Sequence, residues 1–128
     1  MSSDFFFVCF QSGRCDLDQI RATLEQAKVL TRRFDDHLVV IASNGAELAI
    51  SLNQDRYVAE ENAEIAGGDS VAQAFLPCDA RFEVHIDDWN AIMMEYHTLF
   101  LLQECLVKST GGFLFLGWNG AILDFNSD

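Results

Sequence analysis

Asn44-Gly45 and Asn119-Gly120 each divide two apolar runs, and no other feature restricts the fold of this chain so tightly. Asn-Gly is the dipeptide that best tolerates the positive φ angles of a type I′ turn. Residues 38–43 with 46–52, and residues 112–118 with 121–125, therefore read as two β-hairpins. A two-residue loop at Asn44-Gly45 sets Ile41 opposite Leu48 and Val39 opposite Ile50, which gathers one apolar face.

Each hairpin is preceded by the same series of signals. Residues 5–10 form a short apolar strand, Asp16 with Gln19 makes a capping box, and Leu17, Ile20, Leu24, Ala27, Leu30 and Phe34 recur at helical spacing. In the second half residues 81–86 form the strand and Asp87 or Asp88 caps the helix. Trp89, Ile92, Met93, Tyr96, Leu99, Phe100, Leu106 and Val107 supply its stripe, and Lys108 and Gly111 close it.

This order predicts an α+β fold in a single domain, built from two βαββ pseudo-repeats at about 4–52 and 81–125. The expected architecture is a mostly antiparallel sheet with two long helices packed on one face and a short acidic helical linker, residues 53–80. Residues 113–116 are apolar at every position, which calls for cover on both faces from the linker, a twin subunit or another protein. Residues 99–102 leave the second helix apolar nearly all round, which implies burial on two sides.

With 128 residues, half of them hydrophobic, and one proline, the chain has the apolar matter for a real core, so its acidity rides on a folded scaffold. That acidity is unevenly placed. Of the net charge of −12, residues 41–104 hold twelve acids against two bases, Arg56 and Arg81. Eight Lys and Arg in all disfavour direct binding to nucleic acid or to an anionic membrane, both of which are built on basic groups. Within the linker, residues 55–66 are rich in Ala and Glu and read as a helix ended by Gly67-Gly68. Asp55, Glu60, Glu61, Glu64 and Asp69 lie outside the repeated plan, where no folding role demands them. They are the expected contact residues for a basic protein partner.

Constellations for chemistry are sparse. His85 and Asp87 share a strand face but lack a third ligand, so no metal is assigned. Cys9, Cys15, Cys78 and Cys105 show no C-x-x-C spacing and read as reduced structural thiols of a cytoplasmic protein. Cys15, beside Arg14 near a helix N-terminus, is the one thiol with a reason for a lowered pKa. Ser12-Gly13-Arg14 offers backbone donors to one small anion, without a P-loop pattern. No nucleophile stands beside a base, so no catalytic residue and no cofactor are assigned. An acid, Asp4, stands where a secretory signal needs bases, and no apolar run approaches membrane-spanning length.

Two function classes follow. The first is an interaction module, not an enzyme, that covers the cationic cleft of a basic protein; bacterial immunity proteins and nucleic-acid mimics share that style, in type alone. The second is a homodimeric α+β ligand-binding or enzymatic domain whose pocket, near His85, Trp89 or Trp118, lies on the uncovered sheet face.

Overall fold

The computed structural model describes residues 4–66 and 78–123, apart from the side chains of residues 65 and 66. The chain runs β1 (Phe5–Phe10), α1 (Leu17–Gln26), β2 (Leu30–Arg33), β3 (Leu38–Ile41), β4 (Glu47–Asn53) and α2 (Arg56–Ala66). It continues through β5 (Ala80–Ile86), α3 (Trp89–Met93), α4 (Tyr96–Thr110), β6 (Phe113–Leu116) and β7 (Ile122–Leu123). The strands join one antiparallel sheet in the order β2-β3-β4-β5-β1-β6-β7, so the fold is α+β. Among the described residues no helix is long and apolar enough to cross a membrane.

Strand pleating sorts the side chains onto two faces. Phe6, Val8 and Phe10 of β1, Leu48 and Ile50 of β4, and Phe82 and Val84 of β5 point to the first face. There they close the main core with Leu17, Ile20 and Leu24 of α1, Ile92 of α3, and Leu99, Leu102, Leu106 and Val107 of α4. Each such side chain stabilises the fold by about 1.5–3 kcal/mol when fully buried.

The capping box opens α1 as expected: the Asp16 carboxylate accepts from the Gln19 N–H at 2.8 Å, and the Gln19 side chain accepts from the Asp16 N–H at 2.9 Å. The helix ends earlier than its apolar spacing implies. Lys28 adopts φ 63°, its N–H donates to Glu25 O at 3.0 Å, and the Val29 N–H donates to Leu24 O at 2.9 Å, a Schellman ending. Val29 and Thr31, β-branched, lead into the edge strand β2, and Leu30 and Phe34 stand exposed.

The first hairpin differs from its expected register by one residue. Val40 opposes Leu48 and Leu38 opposes Ile50, because three residues, Ser43-Asn44-Gly45, connect the bonded pair Ala42 and Ala46. A one-residue shift exchanges the faces, so Leu38 and Val40 enter the core and Val39 and Ile41 turn away from it. In the second hairpin the Leu116 N–H donates to Ala121 O, leaving a four-residue loop, residues 117–120. Gly45 and Gly120 take positive φ angles, 89° and 72°, and the preceding Asn does not. In both turns the Asn side-chain oxygen accepts from the N–H two residues on, at 3.1 Å for Ala46 and 2.9 Å for Ala121.

The helix expected after β5 is two helices. Asp88 caps α3 through the Ala91 N–H at 3.1 Å, and the chain leaves helical geometry at Glu95, with φ −128° and ψ 40°. The β3–β4 turn sits on this break: Ser43 Oγ donates to Glu95 Oε1 at 2.6 Å and Asn44 Nδ2 donates to Ala91 O at 2.8 Å. The halves therefore do not repeat strand for strand. Among the described residues β2 has no counterpart, and β1 takes the first strand of the second hairpin as neighbour where β5 takes the last strand of the first. α1 has 10 residues against 15 in α4.

Lys28 holds a left-handed conformation that costs a side-chain-bearing residue about 1–2 kcal/mol, partly offset by the greater freedom glycine has when unfolded. Lys28→Gly should accordingly stabilise the protein by about 0.5–1 kcal/mol, read as a raised urea midpoint with unchanged slope.

Candidate functional site

The second sheet face carries Phe5, Phe7 and Cys9 of β1, Arg81, Glu83 and His85 of β5, Ala49 and Asn53 of β4, and Val39 of β3. α2 covers one end of it and the other end is open. Under α2, Arg81 is only 5% exposed. Its guanidinium donates to Glu61 at 2.8 Å and to Glu83 at 2.7 Å and lies 4.2 Å from the Phe7 ring centroid. Burial opposes the charge of Arg81, and the hydrogen bonds to Glu83 and Glu61 outweigh it, so the guanidinium is held above its usual pKa. Asn53 donates to Glu83 at 2.9 Å and to the Tyr57 hydroxyl at 2.8 Å. Asn62, fully buried, donates to the carbonyls of Cys78 and Ala80 at 3.1 and 3.2 Å.

Beside this knot, Phe7 stacks on Phe115 with centroids 6.1 Å apart, and Cys9, Cys78 and Phe113 close a small second apolar cluster. The far-side cover expected for residues 113–116 thus includes Cys78, from the segment that leads into β5.

The open end forms a cavity of about 770 Å³. Phe5, Val39 and Ala49 supply apolar wall, the carboxylates Asp4, Glu47 and Asp87 and the imidazoles His37 and His85 supply polar wall, and no Lys or Arg lines it. His37 Nδ1 lies 2.6 Å from Asp36, its ring stacks on Phe34 at 4.6 Å, and the hydrogen bond from His37 holds the Asp36 carboxyl below its ordinary pKa. His85 and Asp87 both reach this cavity. Among the described residues no group of three or more His, Cys, Asp or Glu is placed to hold a metal ion.

The acids expected to meet a partner separate into three kinds. Glu61 is engaged by Arg81. Asp55, Glu60 and Glu64 are exposed, with no ion pair among the described residues. Asp69 lies outside the described residues. Because α2 lies on the second face, Glu60 and Glu64 share that side of the sheet with Glu47 and Asp87. Glu47 was not among the expected contact residues, and Asp87 was expected either to cap the following helix or to share a strand face with His85. The signal for both was alternation, since Glu47 precedes Ala49, and Asp87 follows His85, on one strand face. Two bases stand exposed on this side, Arg56 at the start of α2 and Arg32 on the edge strand β2.

Two smaller expectations are corrected. The anion held at Ser12 is the chain's own: the Ser12 N–H and Oγ donate to the Asp79 carboxylate at 2.7 and 2.9 Å. Cys15 is not activated, since burial pushes its thiol up to about 11; burial likewise raises Cys78 to about 11 and raises Cys9 and Cys105. No family model, curated protein sequence or solved structure matches this chain.

Removing Arg81 strands the Glu83 carboxylate in a largely buried place. Arg81→Met should cost about 3–5 kcal/mol in chemical denaturation. Glu61→Gln, at a side chain 46% exposed, should cost no more than about 1 kcal/mol. The Ser12 bonds hold the Asp79 carboxyl below its ordinary value of 3.8, so its contribution is complete at neutral pH and lost as pH falls through the lowered value. The stability gap between the wild type and Asp79→Asn should therefore be constant above about pH 5 and close steadily below about pH 4, followed by thermal unfolding across that range.

Proposed function

We propose that this chain is an acidic protein-interaction module, not an enzyme, that docks a basic protein and neutralises or inhibits it, in the manner of an immunity protein or antitoxin working in the cytoplasm. The observation that carries the reading is the set of exposed carboxylates on the sheet face turned away from α1 and α4, Glu60 and Glu64 of α2 at one end and Glu47 and Asp87 of the cavity rim at the other, none of them in an ion pair among the described residues. Within each pair, i and i+4 on α2 and cross-strand at the rim, the carboxylates repel one another inside the screening length of about 8 Å at physiological salt. A cationic partner relieves that repulsion and is steered to it.

The contact set differs from the linker acids alone. Glu61 serves the fold through Arg81 and Asp69 lies outside the described residues, which leaves Asp55, just before α2, with Glu60 and Glu64 of α2, and the rim of the cavity joins them.

A second reading, a homodimeric domain that binds a small ligand or turns one over, is favoured by the cavity itself, whose volume of about 770 Å³ falls within the usual range for ligand sites. One comparison separates the two. Immobilised wild-type protein and the Glu60→Lys/Glu64→Lys variant are exposed to native lysate, and retained proteins are identified in a rising salt gradient. The interaction reading expects a strongly basic protein retained at low salt and lost, or weakened at least tenfold, on the variant. Retention unaffected by the variant, together with a small-molecule thermal shift abolished by His85→Ala, would instead establish the ligand reading.

A further inference from the structure

The covered end of the second sheet face holds a filled cation site, and the open end presents the same groups without a cation. Under α2 the chain seats its own guanidinium, that of Arg81, against the Phe7 ring and between the carboxylates of Glu61 and Glu83. Two residues back along β1, the Phe5 ring lies 4.9 Å from that of Phe7 and reaches the cavity of about 770 Å³. Phe5, His85, Ala49 and Val39 stand abreast on β1, β5, β4 and β3, and the small Ala49 leaves room between larger neighbours. Glu47 opens β4 and Asp87 follows β5, tied by the Asp87 N–H, which donates to the Glu47 carbonyl at 3.3 Å. Both carboxylates line the cavity, and neither has an ion pair or side-chain hydrogen bond among the described residues. Arg32, opposite Val39 on β2, stands outside the lining.

We infer that this cavity is the socket for an arginine side chain of the basic partner. The inference rests on the reading of such a partner and names the group that enters. Asp4, Glu47 and Asp87, all in the wall, repel an anion. A metal ion has no group of three ligands placed for it among the described residues. A guanidinium uses both kinds of wall at once, because its face lies on a ring while its edge donates to carboxylates, the arrangement that Arg81 already shows. A lysine ammonium is a compact, strongly hydrated point charge and gains less from the ring.

The probe is Nα-acetyl-arginine amide, titrated into the full chain by isothermal calorimetry at low salt beside its citrulline and lysine analogues. Citrulline keeps the shape and replaces the guanidinium with a neutral urea. The expected result is saturable binding of the arginine compound, weaker by about tenfold or more for citrulline and by about threefold for lysine. Glu47→Gln/Asp87→Asn should weaken it by about tenfold or more while circular dichroism stays that of the wild type. Glu25→Gln/Glu104→Gln removes the same charge from α1 and α4, on the other side of the sheet, and should change the affinity by less than about twofold. Ala49→Leu, which fills the depression, should weaken binding as much as the change at the rim.

Equal affinity for citrulline, or equal losses in the two double variants, would overturn the socket; a basic protein retained from lysate would still support the interaction reading. Arginine binding with no basic protein retained would remove the partner, and this inference with it, and leave a free guanidine as the ligand. A gain of about tenfold on Arg32→Ala would assign the cavity to the chain's own arginine. A dimer seen by sedimentation and dispersed by Glu47→Gln/Asp87→Asn would assign it to an arginine of a second copy; either overturns the inference.

Discussion

β1 pairs with β5 along all six of its residues on one edge and with β6 on the other through Phe6, Val8 and their neighbours, so both partners come from the second half of the chain. Pairings this distant in sequence carry a loop-closure cost that local hairpins avoid. It is offset because β1 buries apolar side chains on both faces, Phe6, Val8 and Phe10 in the main core and Cys9 in the second cluster. The closeness of β6 to β1 in turn demands glycine at both ends of β6. A Cβ on Gly112 would collide with the Cys9 carbonyl, and one on Gly117 would fall 2.6 Å from the Phe5 ring and carbonyl oxygen.

The second face of β1 passes this constraint outward. Phe7 gives Arg81 a ring to lie against, Arg81 requires carboxylates to be tolerable at 5% exposure, and one of them, Glu61, comes from α2. Ion pairs of this kind add little net stability, because desolvation consumes most of the attraction, but they fix orientation. Val58, Glu61 and Asn62 turn towards the sheet, and helical geometry then sends Glu60 and Glu64 outward. The negative face is thus a geometric consequence of a buried cation.

Much of the frame was legible in local signals. The β1 run, the Asp16 box, the α2 segment, the β5 segment and the Gly111 helix ending each involve neighbours in sequence, and each is found where those neighbours put it. What escaped depends on contacts that periodicity does not encode. Lys28 takes a position that sequence logic reserves for glycine, so Leu30 and Phe34 continued a helical pattern through a helix that had ended. Asn-Gly specified a turn but not its length, and one extra residue reversed the faces of β3 against those of β4. The break at Glu95 is marked by no Pro or Gly and is matched instead by Ser43 and Asn44, some fifty residues away. At the candidate site the acidic charge was legible and its division was not, because only the fold brings Arg81 to Glu61.

The same distribution of charge bears on self-association at an exposed aromatic groove. Met94, Tyr96 and Phe100 form a surface that would favour self-association in a neutral protein. Here the net charge of −12 on each chain opposes the approach of a second copy. Repulsion between copies and attraction for a cationic partner are one electrostatic term with opposite signs. Raising the ionic strength weakens both effects together and leaves the apolar contact, which salt does not screen. Self-association should therefore rise in the same range of salt in which discrimination for a basic partner falls.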